Sequence, residues 1–137
     1  WFYTPQNVAY TGGGIQLRAI DFAKYGQLYK NKGKWNGKQI LSETWVEKSL
    51  SKQVSQDYEG VKGLHYGYVF WNKVYTVNEE DYEVSFATGN GGNRIFIFKD
   101  IPFVIVIAAS AYNRPGSIAN VDNMMVDYIL PAILGEK

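Results

Sequence analysis

The chain has 137 residues, 46% of them hydrophobic and 16% aromatic, which excludes disorder and suits one domain with a substantial core. Its net charge of +1 comes from scattered basic residues, so nothing points to a nucleic-acid groove or an anionic membrane surface. It has no cysteine and a single histidine, His65, which excludes disulfides, thiolate chemistry and multi-histidine metal sites; no apolar run approaches the ~18 residues of a membrane-spanning helix.

Residues 1–14 read as an entry loop, broken by Pro5 and by Gly12-Gly13-Gly14. No Lys-Ser or Lys-Thr follows the glycine run, so it reads as a tight crossing into a helix rather than a phosphate cradle. The abrupt opening on Trp1-Phe2-Tyr3 gives the expectation that the chain is the C-terminal portion of a larger protein. Residues 16–31 have helical spacing, with Ala19, Phe22, Tyr25, Gly26 and Tyr29 on one face and Asp21, Lys24, Gln27 and Lys30 around the other. A glycine inside a helix costs about 1 kcal/mol against alanine, so Gly26 implies a close packing contact. Asn31-Lys32-Gly33 ends the helix, and residues 34–41 form a turn tipped by Asn36-Gly37. Ser42 is a good N-cap for a second helix over about 43–53, with Trp45, Val46 and Leu50 as its apolar positions.

Residues 54–64 read as a loop and Tyr66–Val74 as a strand. Asn78–Asp81 makes a turn into a strand over Tyr82–Thr88, and Arg94–Phe98 is the next strand. Lys99–Pro102 turns the chain into Phe103–Ala109, the most apolar run, which suits a central strand buried on both faces. Residues 119–134 form a last helix with Val121, Met124, Met125, Tyr128 and Ile129 inward, kinked or ended near Pro131. The expected class is α+β: about four antiparallel strands with two N-terminal helices and a C-terminal helix packed on them, as a single domain or part of one. A sheet this apolar needs cover on both faces, from the first helices or from chain not present here.

The organising stretch is Phe86-Ala87-Thr88-Gly89-Asn90-Gly91-Gly92-Asn93-Arg94, a strand end, a glycine-rich crossing and the next strand. Glycines clear side chains from the backbone, and exposed N–H groups at such a strand end suit an anionic or carbonyl oxygen. The plainer reading of the same residues is a hairpin with a glycine bulge.

Taken in order, Asp21–Tyr29, Gly33–Leu41, Trp45-Val46, Tyr66-Gly67-Tyr68 with Trp71, and Gly89–Phe98 leading into Phe103–Ala109 resemble the serine β-lactamase and penicillin-binding-protein-like hydrolases. The closest branch is the class C-like group with esterases and 6-aminohexanoate-dimer hydrolases. The resemblance implies part of a β-lactamase/transpeptidase-like fold and acyl-enzyme hydrolysis of an amide, ester or β-lactam bond, with no cofactor or metal. It equates Ala87-Thr88-Gly89 with the family's third motif, a substrate-binding strand edge, and gives the backbone N–H of Asn90 to the oxyanion hole. Asn113 falls near the rim that contacts substrate. Ala87 stands where the strict motif has Lys or His, which fits esterases and amidases better than lactamases. Arg18 stands where the family often has a Ser or Thr helix cap.

There is no Tyr-x-Asn. The one formal Ser-x-x-Lys, Ser49 to Lys52, falls at a helix end and reads as an ordinary helix terminus. The expectation is therefore a chain carrying one wall of a serine hydrolase site without its nucleophile, inert alone, and joined to its missing N-terminal part or to itself through exposed sheet. Relatives are frequently exported in bacteria. The alternative is a non-catalytic binding or assembly module that kept the fold. His65, the Glu79-Glu80-Asp81 cluster, Trp35, Trp45 and Trp71 read as surface or packing residues.

Overall fold

The computed structural model describes residues 2–10, 13–56 and 62–135; Trp1, Gly12 of the glycine run and positions 57–61 of the expected 54–64 loop lie outside the described residues. The entry segment closes on itself through a Tyr3–Ala9 bridge. Helix α1 (Ala19–Lys30) and α2 (Glu43–Leu50) flank a small hairpin, β1 (Lys34–Trp35) and β2 (Lys38–Gln39). The hairpin turns at Asn36 and Gly37, with φ of 46° and 78°, the left-handed pair that Asn-Gly favours. Ser42 caps α2 by accepting from the Trp45 N–H at 3.2 Å.

The main sheet has six strands in chain order: β3 (Val54–Ser55), β4 (His65–Tyr66), β5 (Trp71–Val77), β6 (Glu80–Gly89), β7 (Asn93–Phe98) and β8 (Val104–Ile107). Every neighbouring pair is antiparallel, so the class is α+β with more strands than the four expected. Two of the extra strands come from unexpected places. Val54–Ser55 lies in the stretch read as loop, and the single strand expected over Tyr66–Val74 is broken at Gly67–Phe70 into β4 and β5. There Gly67 N–H donates to Phe70 O at 2.7 Å, closing a turn that strand propensity alone hides. Asn78 and Glu79, with φ of 52° and 64°, connect β5 to β6 in a two-residue turn.

β8 is an edge strand, not the central one. Its Val-Ile-Val-Ile run is apolar because both faces are covered, a condition an edge strand also meets. Val104 and Val106 pack with Tyr29, Val46, Phe70, Ile95 and Ile97 beneath α1 and α2. Ile105 and Ile107 pack on the other face with Phe86, Phe96, Phe98, Val121, Met125 and Leu130. The first helices therefore supply one cover and the C-terminal helical segment the other.

Gly26 is buried, and a methyl there would stand 2.5 Å from Val104 Cγ1 and 2.9 Å from Ile95 Cγ2. The missing side chain lets α1 lie directly on β7 and β8. Gly26→Ala should therefore lower stability by roughly 1 kcal/mol in urea melts, overlap outweighing alanine's better helix propensity; a more stable variant would show the contact to be slack. Three other positions on α1 differ from expectation. Ala19 and Tyr25 are exposed, and Lys30 turns inward, donating to the carbonyls of Phe98, Lys99 and Ile101. Arg18 caps α1 without a side-chain cap bond; its guanidinium instead holds Asp21 at 2.8 Å, and this bond is the main cause of the Asp21 carboxyl falling to about 2.

The C-terminal segment runs as α3 (Ser117–Met124), a π-helical turn over Met125–Ile129 and α4 (Leu130–Leu134). Pro131 neither ends it nor begins its coil. Proline's ring clashes with the carbonyl four residues back, and the wider π turn just before it relieves that clash. The Leu130 N–H reaches Met125 O, five residues back. The extra residue shifts the inward face beyond it, so that Met125 is followed inward by Leu130 and Tyr128 is 71% exposed; Met124, in the α-helical turn before it, is 45% exposed beside the inward pair Val121 and Met125. No helix is long and apolar enough to cross a membrane, among the described residues.

Candidate functional site

Strand β6 ends at Gly89, which pairs with Asn93 at the start of β7, so Asn90-Gly91-Gly92 is the whole connection. The glycine crossing is a hairpin. Gly91 and Gly92 have φ of 85° and 88°, which a side chain would strain. They also lack room: a methyl on Gly91 would meet the Tyr112 ring at 2.9 Å, and one on Gly92 would meet Val121 at 3.2 Å. The loop after β8 thus lies across the hairpin, with the Tyr112 ring over its tip.

Polar bonds fix that arrangement. Asn90 Nδ2 donates to Asn113 Oδ1 at 3.0 Å, and the Asn113 N–H donates back to Asn90 Oδ1 at 3.3 Å. Asn113 has φ of 55°, a conformation asparagine tolerates better than most residues. Asn93 Nδ2 donates to Asn90 O at 2.9 Å, its Oδ1 accepts from the Ala109 N–H at 3.1 Å, and the Ala111 N–H donates to Gly91 O at 3.1 Å. Two residues singled out from the sequence, Asn90 and Asn113, are therefore direct partners although 23 positions apart. Asn93, which joins the hairpin to the loop, went unnoticed; its place as the first residue after the glycines was the available signal.

Thr88, Gly89 and Asn90 are exposed at this end of the sheet, while Ala87 is half-buried under the α1 and α2 side. Thr88 is paired across the strands with Arg94, whose side chain is 2% exposed. Arg94 Nη1 donates to Asp122 Oδ1 at 3.1 Å, and its guanidinium lies over the Phe86 ring, 4.7 Å from the centroid. Lys73 Nζ is 2.9 Å from the same Asp122 oxygen, and Tyr75 donates its hydroxyl to it at 2.6 Å. Burial pushes the Tyr75 hydroxyl well up and the Lys73 ammonium down, with Asp122 raising both. This cluster sits behind the exposed strand end and holds α3 to the sheet.

The two halves of Ser49-x-x-Lys52 have other partners. The Ser49 hydroxyl is buried and donates back to Trp45 O at 2.7 Å, while Lys52 Nζ reaches Glu83 Oε1 at 3.0 Å. His65 is half-buried on β4, with Nδ1 unpartnered among the described residues, two strands over from β6, where the glycine hairpin begins. Trp45 lies 5.7 Å from Tyr68 and Trp71 4.6 Å from Tyr66, ring to ring, and Thr76 donates to Asp81 at 2.7 Å. No three potential metal ligands converge among the described residues. The hairpin end can orient an oxygen-bearing ligand through amide and hydroxyl groups. The side chains assembled there are asparagines, a threonine and a tyrosine, which do not constitute a nucleophile with its base.

No family model and no curated protein matches the chain.

Proposed function

We propose that this chain is the C-terminal part of a serine hydrolase of the β-lactamase and penicillin-binding-protein-like kind, which cleaves an amide or ester through an acyl-enzyme. In this reading Thr88, Gly89 and Asn90 form the strand-edge wall. The Asn90 N–H stabilises the oxyanion, Ala87 marks a site not built for a lysine-bound carboxylate, and Asn113 lies at the substrate rim. The observation that supports it is the reciprocal Asn90–Asn113 bond, which joins the two roles at one place. The nucleophile and its base must come from outside these residues. The outer edge of β8 pairs with no strand among the described residues and carries only Val and Ile, so the remaining sheet, or a second copy, would add there.

A fluorophosphonate and then benzylpenicillin, read by intact mass, should leave this chain unmodified and label the longer product of its gene once, outside these residues. Sedimentation of the chain alone should show association. An adduct at Ser49, or a longer product inert to both reagents, would overturn the reading. A second reading, a binding module that lost the chemistry, is favoured by Ala87 in place of the motif's basic residue and by the lack of the first two motifs in this sequence.

A further inference from the structure

Val69 holds a conformation that works against its own side chain. Among the described residues it is the one β-branched residue with a positive φ, 63°; four of the other six non-glycines are asparagines. Branching at Cβ makes that region costly, whereas glycine enters it freely. The backbone demands the turn. Gly67 N–H donates to Phe70 O at 2.7 Å, the Tyr68 N–H is held by Ser49 O at 3.1 Å, and the Phe70 side chain is buried. Nothing in the fold demands a valine there, because its side chain is 70% exposed. Strain without a packing return is a mark of functional positions.

The position of Val69 fits that view. The ladder between β5 and β6 ends at Trp71 opposite Phe86. Val69, two residues before Trp71, therefore lies at the same end of the sheet as Thr88, two residues after Phe86. Phe70 and Ala87 pack in one cluster there. Tyr68 continues the surface, and its half-exposed ring lies 5.7 Å from that of Trp45. Val69, Tyr68 and Trp45 thus form an exposed apolar shelf leading away from Thr88-Gly89-Asn90, and contiguous apolar surface of this kind serves binding.

We propose that Val69 determines specificity in the hydrolase proposed above, on which this inference rests: it seats the apolar acyl chain of an uncharged ester or amide, and Tyr68 and Trp45 carry the chain onward. A carbonyl held by the Asn90 N–H must send its acyl chain to one side of β6. On the β7 side the Tyr112 ring and the Asn90–Asn113 bonds close the end of the sheet. On the β5 side the shelf is open. A branched side chain there presents two methyl groups while giving up little rotamer freedom.

The test uses the longer product of the gene, assayed with p-nitrophenyl acetate and p-nitrophenyl hexanoate. The value of kcat/KM should favour hexanoate. Val69→Gly should lower the hexanoate-to-acetate ratio about fivefold to tenfold, the scale of one or two lost methylene contacts. Its urea midpoint should be no lower than the parent's, since glycine relieves the strain, so a damaged fold would not explain the change. Val69→Thr keeps the branched shape and the strain but puts a hydroxyl in place of one methyl, and it should lower the ratio too. A ratio that glycine lowers and threonine keeps would assign the effect to the shape of the turn and overturn the proposal. So would a ratio that glycine leaves unmoved, or equal falls for both esters. Failure of the hydrolase reading itself shows separately, as no turnover of acetate before Val69 is changed, and takes this inference with it.

Discussion

Asp122→Ala should lower the unfolding free energy by about 3–5 kcal/mol, measured by urea denaturation, because it strips the counterion from two buried cations. The side chains of Arg94 and Lys73 are 2% and 13% exposed, and both reach the same Asp122 oxygen. Tyr75 loses its acceptor as well. A loss of this size takes a large share of a typical domain's 5–15 kcal/mol. The variant should also have a distinctive pH profile. Burial already lowers Lys73 from lysine's ordinary value, and removing Asp122 lowers it further. Between that lowered value and the unfolded one the unfolded chain binds more protons, so the variant should regain stability as pH rises through that window toward lysine's ordinary ~10. A loss under ~1 kcal/mol, or stability falling over that window, would mean that the cations are solvated after all.

Gly67→Ala should cost about 3 kcal/mol, the upper end of what overpacking usually does. A methyl there would lie 2.5 Å from Ser51 O and 2.6 Å from Ser49 O, both main-chain atoms at the end of α2. A side chain could rotate away; these carbonyls cannot, because Ser49 O also accepts from the Tyr68 N–H at 3.1 Å. Amide exchange should rise at the end of α2 and in the turn between β4 and β5. Gly63→Ala is the comparison: its methyl would meet nothing within 4 Å, leaving only the strain of φ +74°, about 1 kcal/mol. Equal losses for the two variants would remove the steric argument.

What could be read from the sequence was what short-range chemistry decides. Ser42 capped its helix, Asn36-Gly37 turned its hairpin, and Gly26 marked a close contact before any partner was known. What escaped was decided by distant residues. Strand propensity runs unbroken through Tyr68-Val69-Phe70, and only the backbone of α2 shows why the chain must turn at Gly67. Apolarity placed β8 correctly between two covers but says nothing of position within a sheet. The inward face of the last helix shifted because a π turn inserts one residue that a fixed 3.6-residue period cannot see. At the candidate site, glycines identified the hairpin. The bonds to Asn113 and Ala109, 23 and 16 residues from their partners, required the fold.

The seating of α1 on β7 and β8 sets an order of events during synthesis. Lys30 closes on Phe98 O and Ile101 O, 68 and 71 residues later in the chain. At ~5–20 residues per second, α1 leaves the ribosome several seconds before its platform exists. The hairpins β5–β6 and β6–β7 need only neighbouring chain and can form as they emerge. Helix α1 is therefore among the last of these elements to dock, and its apolar side waits uncovered until β8 is complete.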